Sequence, residues 1–245
     1  MSNEEKTWKS IFEDINWIKS LDNIYDYSIT TLLELNGHTV SKTGSYDLNK
    51  WMETVNHIKK YTNYNENVNN TIVEIGCGAG ALLKMFENNS LIGIEPSNAY
   101  TKIVKKALPN ALIINGDALK IVKIKNESVD IILSHSCIQY FPDISYFKRC
   151  LDLIHDKLKK GGNISLTDLC DKDKKELCLN YRKQQLGEEK YKELYSKTNL
   201  KHFYISRNEI LDLVKYKFKN VVFTDAVKRG DESEFYRFNF FAEKI

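Results

Sequence analysis

No apolar run in these 245 residues approaches the ~18 that a membrane-crossing helix needs, so no transmembrane segment is expected. The opening stretch, Met1–Ser10, is polar and gives no secretory leader pattern. Cysteine is sparse: Cys77, Cys137, Cys150, Cys170 and Cys178 make an odd count with no Cys-x-x-Cys pair. A disulfide framework and a zinc site are therefore both disfavoured, no other metal-ligand cluster is visible, and a reducing cytoplasm is the expected setting. An excess of one charge is missing too. Thirty-six Lys and Arg against 33 Asp and Glu leave +3, too mild to argue for a nucleic-acid partner. Lys157, Lys159 and Lys160 only close a helical pattern, where cations suit the helix dipole. There is no internal repeat.

What is present is 42% hydrophobic residues, enough for a real core, and a length that fits one large α/β domain with additions or two small domains. Trp8, Ile11, Phe12, Ile15 and Ile18 recur at helical spacing, continued by Ile29, Leu32 and Leu33. A polar loop with His38 and Tyr46 follows, then a helix from Asp47 to Tyr61 with Trp51, Val55 and Ile58 inward. Residues 1–65 thus form a helical preface, either a lid or plain packing. From residue 71 strands and helices alternate: strands at 71–75, 91–94, 111–114, 129–133 and 163–166, helices at 97–108 and 144–158, the last stopped by Gly161-Gly162. Residues 171–205 interrupt the alternation with a helical insertion rich in Lys, Glu and Tyr. A helix capped by Ser206 and strands at 221–224 and 235–241 close the chain. The order predicts a Rossmann-like, mostly parallel sheet of seven strands with helices on both faces, over residues 66–245.

Thr71–Gly80 is the centre of the pattern. An apolar strand breaks into Gly76, Gly78 and Gly80, and a helix starts behind them. Such a turn admits close approach of a ligand to backbone. Glu74 would repel a pyrophosphate but suits a cationic or hydroxyl-bearing ligand. Ligands of open parallel sheets sit at the strands' carboxyl ends. Here those ends carry Glu74, Glu95, Asp117, Ser134 with His135, and Thr167 with Asp168. Glu95, about 20 residues beyond Glu74, is placed to accept from two ribose hydroxyls. Asp117 is placed to accept from an adenine amino group, with Ala118 and Leu119 beneath the ring. The three acids together point to a nucleoside ligand.

At these residues the chain resembles the class I S-adenosylmethionine-dependent methyltransferases. Glu74-Ile75-Gly76-Cys77-Gly78-Ala79-Gly80 looks like the family's first motif, Glu95 its ribose acid, Gly116-Asp117-Ala118 its adenine contact, and Lys160-Gly161-Gly162 its late turn. The seventh strand matches the family's antiparallel hairpin. The resemblance implies S-adenosylmethionine as cofactor and S-adenosylhomocysteine as product, held by Glu74, Gly76, Cys77, Gly78, Gly80, Glu95, Pro96, Asp117, Ala118 and Ser134. Nucleic-acid amino-methyltransferases carry Asn- or Asp-Pro-Pro-aromatic after the fourth strand. Ser134-His135-Ser136-Cys137 stands here instead, closer to the small-molecule branch of methyltransferase-domain type 11/25.

The expected reaction is in-line methyl transfer to a hydroxyl or amine of a small-molecule acceptor, for example a sugar or a polysaccharide or natural-product precursor, with no metal. His135 is the candidate base, or else a histidine bonded to backbone. Asp168 is the second catalytic candidate, or else a helix cap. His202, Tyr204, Arg237 and Asn239, with His135, are candidate acceptor contacts. Arg237 on an apolar strand must either find an anion or edge into solvent. Two other readings stand beside this one. An NAD-dependent oxidoreductase also has glycines followed by an acid, but Glu74, Asp117 and Ala81 in place of a third helix-facing glycine speak against it. A non-catalytic cofactor-binding partner would keep the fold without turnover. A monomer and a homodimer are both compatible with the sequence.

Overall fold

The computed structural model describes residues 26–37, 48–195, 201–227 and 232–245. The helical pattern of Trp8 to Ile18 and the loop residues His38 and Tyr46 lie outside them. The elements are α1 (Ile29–Leu35), α2 (Leu48–Tyr61), β1 (Thr71–Ile75), α3 (Ala81–Lys84), β2 (Ser90–Glu95), α4 (Asn98–Ala107), β3 (Leu112–Asn115), β4 (Val129–His135), α5 (Ile144–Lys157), β5 (Leu158–Cys170), α6 (Lys175–Leu186), α7 (Glu188–Tyr195), α8 (Arg207–Val214), β6 (Phe218–Asp225) and β7 (Arg237–Lys244). The strands form one sheet in the order β3-β2-β1-β4-β5-β7-β6. β1 to β5 run parallel, and β7 pairs antiparallel with both β5 and β6.

Side chains along the central strands alternate between two cores, as the two-residue period of a strand requires. Ile72, Ile131 and Leu133 face the layer built by Leu32, Leu33, Trp51, Val55, Ile58, Ile103 and Val104. Val73, Ile75 and Ile132 face the layer of Phe147, Leu151, Ile154, Ile210 and Val214. α1 and α2 therefore belong to the same apolar layer as α4. Ser97, Asp143 and Ser206 cap α4, α5 and α8 through their side chains, and Glu209 completes a capping box with Ser206. The strand order reverses between β1 and β4, which fixes where a ligand crevice opens.

Several boundaries differ from the sequence reading. β4 runs on to His135 because His135 pairs in register with Thr167. The helix before β5 ends at Lys157, and Gly161 (φ +77°) lies within the long β5 span. β5 continues past Asp168, a left-handed residue (φ +66°) at the register shift between Leu166 and Leu169. β7 begins only at Arg237, because residues 232–236 form a 3-10 turn that leaves Phe235 exposed.

Candidate active site

The glycine turn is tied to the neighbouring strand. Gly76 and Cys77 both donate backbone N–H bonds to the Ile94 carbonyl, at 2.8 and 3.2 Å. Gly76 has φ +72°, and a Cβ there would lie 2.2 Å from Cys137 Sγ, so only glycine fits. Gly78 N–H donates to Glu95 Oε2 (2.9 Å), and Ser97 N–H donates to Glu95 Oε1 (2.8 Å). Each oxygen keeps a further acceptor position, since an ionised carboxylate has about four. Burial raises Glu95 to about 6, with the Ser97 and Gly78 N–H bonds opposing the shift.

Glu74 is buried and accepts from the Leu83 N–H (3.1 Å), which fixes the first turn of α3. Burial pushes its carboxyl well above the ordinary range, opposed by the Leu83 bond and reinforced by the charge of Glu95. Asp117 follows β3 at an N-cap position where its side chain makes no capping bond. These acids converge. A cavity of about 500 Å³ is walled by Glu74, Gly76, Cys77, Gly78, Glu95, Pro96, Asp117 and Ala118, all from the ends of β1, β2 and β3, together with His135.

Two expected cofactor residues stand behind that wall. Gly80 N-caps α3, and a Cβ on it would meet Val104 at 2.7 Å. Ser134 donates to the Ile75 carbonyl (3.0 Å) and so ties the ends of β1 and β4 together. The wall also contains residues the sequence did not mark as ligand contacts: Asn36, Trp51, Tyr100, Cys137, Tyr140 and Tyr146. Asn36 caps the end of α1, and its Oδ1 accepts from the Ala79 N–H at 2.7 Å. Asn36-Gly37 at the close of a helical pattern was the available signal, since that pair marks a helix end.

His135 lines the large cavity and also a cleft of about 10 Å³ behind it, shared with Thr54, His57, Thr167, Asp168 and Asn239. Its Nδ1 lies 2.9 Å from Thr167 Oγ1, and its ring meets Trp51 edge-on at 5.6 Å. Asp168 stands in the cleft rather than in the large cavity. It caps no helix. Its N–H donates to Asn239 Oδ1 (2.9 Å), and its carbonyl and Oδ2 accept from Arg237 at 3.0 and 3.1 Å. Arg237 thus finds its anion within the chain, and it also donates to Gln139. Asn239 donates onward to Thr224 Oγ1 and the Asp225 carbonyl.

His202 and Tyr204 lie under the insertion helices and do not line the large cavity among the described residues. Arg182 donates to His202 Nδ1 at 2.6 Å. A guanidinium can only donate, so His202 is neutral with its proton on Nε2. Burial, then Arg182 and Arg237, push it down to about 3. Tyr204 donates to Cys178 Sγ. The His202 ring lies 5.7 Å from that of Tyr140, which itself reaches the cavity. Among the described residues no group of three His, Cys, Asp or Glu is arranged to hold a metal ion, and no helix is long and apolar enough to cross a membrane.

Residues 73–166 match the methyltransferase-domain family. That match covers less than half of the chain, and the sheet around it, with β7 antiparallel between β5 and β6, has a Rossmann-like methyltransferase fold. An uncharacterized methyltransferase of Oceanobacillus iheyensis is 30% identical over 105 residues, 42% of this chain and 48% of that protein. The beauvericin nonribosomal cyclodepsipeptide synthetase of Beauveria bassiana is 26% identical over 164 residues, 62% of this chain and 5% of that protein. The chain thus spans about half, or far less, of the length of these curated relatives. A plantazolicin methyltransferase solved with S-adenosylhomocysteine shares the fold: TM-score 0.62, 16% identity, 96% of this chain and 93% of that one.

Proposed function

We propose that this chain transfers the methyl group of S-adenosylmethionine to a hydroxyl or amine of a small-molecule acceptor. The observation that carries the reading is that Glu74, Glu95 and Asp117, from three neighbouring strand ends, wall one cavity of about 500 Å³. That volume lies within the range of small-molecule and cofactor sites, about 300–1,000 Å³. The residues fit the cofactor. The glycine cradle at Gly76 would be filled by any Cβ, and Glu95 offers each ribose hydroxyl an acceptor already oriented by a backbone N–H. Asp117 and Ala118 would take the adenine edge, and Glu74 with Gly76 the amino-acid end. When bound, S-adenosylmethionine supplies an activated methyl group for in-line displacement.

The chain's own part is positioning and proton removal. Alignment of two reactants is worth about 7–11 kcal/mol. His135 and Trp51 stand in the same wall, and His135 would accept the proton of a hydroxyl or amine acceptor. α1 and α2 act as a lid that contributes Asn36, Gly37 and Trp51 to the cavity. Asp168, Arg237 and Asn239 serve as the support behind His135. The names of the relatives, a cyclodepsipeptide synthetase and a plantazolicin methyltransferase, support an acceptor of natural-product type.

Calorimetry with S-adenosylhomocysteine and with NAD separates this reading from a dehydrogenase. Binding of the former and no heat with the latter is expected, and the reverse overturns it. Labelled S-adenosylmethionine offered with a panel of sugars, amines and phenols then tests turnover. His135→Ala should slow transfer at least tenfold with cofactor affinity nearly unchanged, given the ~10²–10⁴-fold typical of general bases.

A further inference from the structure

The reading of His135 as a base leaves open what fixes its tautomer. A base needs an unprotonated nitrogen toward the acceptor, and imidazole can present either one. Thr167 Oγ1 lies 2.9 Å from His135 Nδ1 and 3.4 Å from the Ser134 carbonyl oxygen. A hydroxyl has one proton, and a carbonyl can only accept. With that proton directed to Ser134, Oγ1 is an acceptor toward the imidazole. Nδ1 must then carry hydrogen, and Nε2 carries the lone pair.

The surroundings hold this arrangement in place. His135 and Thr167 are register partners on β4 and β5, and Ser136 N–H donates to the Thr167 carbonyl at 3.1 Å. Thr167 is 3% exposed, so its hydroxyl is shielded from bulk water. Trp51 closes one side of the ring at 5.6 Å. Behind it the cleft has only about 10 Å³, room for about one water molecule.

We propose that Thr167 is a positioning residue that holds His135 with Nδ1 protonated and Nε2 as the proton acceptor. The proposal rests on His135 being the base, but its test does not. The chain has five histidines, so nitrogen-15 side-chain spectra of the full-length protein, compared with His135→Gln, assign the His135 ring. In the unmodified protein the signals should report Nδ1–H with Nε2 unprotonated. Thr167→Ser should keep that tautomer, and Thr167→Val should lose it. Once an acceptor is in hand, Thr167→Val should lower kcat roughly tenfold to hundredfold with KM for the cofactor unchanged, and Thr167→Ser should restore it. A wild-type ring protonated on Nε2, or a tautomer unmoved in Thr167→Val, overturns the proposal. The wild-type spectrum alone decides the point if Thr167→Val does not fold. Correct spectra with no effect of His135→Ala on turnover would instead refute His135 as the base.

Discussion

Replacing Glu95 with glutamine removes one charge from the cavity wall and turns one acceptor into a donor. The wild-type carboxylate accepts backbone N–H groups on both oxygens, from Gly78 at 2.9 Å and Ser97 at 2.8 Å. Glutamine can satisfy only one of them. Its NH₂ group must face the other N–H, or turn toward the ribose and lose an acceptor there. A hydrogen bond to a charged partner contributes about 1.5–3 kcal/mol, so losing one weakens cofactor binding by roughly tenfold to 150-fold.

The same carboxylate gives the reasoning a pH signature. Glu95 is raised from 4.5 to about 6, chiefly by burial. A raised acid in the folded state binds protons that the unfolded state has already released. Stability of the ligand-free protein therefore falls as pH rises from 4.5 through about 6, by about 2 kcal/mol at 1.36 kcal/mol per pKa unit. Ribose hydroxyls donate to the ionised form, so cofactor affinity should move the opposite way. Near pH 5 only about a tenth of the groups are ionised, and affinity for S-adenosylhomocysteine should be about tenfold weaker than near pH 7.5. Glu74, also pushed up by burial, titrates in the same cavity. The difference between wild type and Glu95→Gln isolates Glu95. Calorimetry at several pH values in buffers of different ionisation enthalpy reads both the affinity and the protons released. A wild-type affinity flat from pH 5 to 7.5, or a slope that survives in Glu95→Gln, refutes the assignment of Glu95 to the ribose.

Gly76→Ala and Gly161→Ala both force alanine to a positive φ, +72° and +77°, at a strain of about 1–2 kcal/mol each. Only at Gly76 does the new Cβ strike an atom, Cys137 Sγ at 2.2 Å, whereas at Gly161 it meets only Glu243 Oε1 at an ordinary 3.7 Å. Gly76→Ala should therefore show the larger drop in Tm and should alone abolish cofactor binding. Arg237→Met leaves Asp168 buried without its guanidinium, a loss of about 3–5 kcal/mol, or roughly 10 °C in Tm for a domain of this size. The deficit should shrink in acid, because the stranded carboxyl protonates, and Arg237→Met with Asp168→Asn should recover part of it. Trp51 lines the cavity, so S-adenosylhomocysteine should change the tryptophan emission, and Trp51→Phe should remove that change while binding persists by calorimetry.

The parts of this site legible in the sequence are those set by backbone geometry and local order. Strand, glycine turn and helix follow from Thr71 to Lys84 without reference to the rest of the chain, and the acids at the ends of β1, β2 and β3 gather because parallel strands present their carboxyl ends on one edge. The inward stripe of α2 was equally readable, since Trp51, Val55 and Ile58 fall on one helical face. That Trp51 is also a cavity wall was not, because burial in a core and burial against a ligand leave the same apolar mark.

The acceptor side resisted for a different reason. Arg237 and Asn239 stand on an apolar strand, and a polar residue there can equally face a ligand or another side chain of the same protein. Pairing decides between these, and the pairing is long-range: Asp168 enters the network only because the left-handed residue in β5 shifts the register against β7. No periodicity within either segment encodes that meeting. The same shift brings Asn239 to the Asp168 N–H and puts both in the cleft behind His135. Polar residues that look like ligand contacts in the chain thus lie behind His135, the one histidine among the described residues that lines the cavity. On the proposed function, an acceptor would meet the wall that His135 shares with Trp51 and Tyr140, and Arg237 and Asn239 would act on it through what they hold in place.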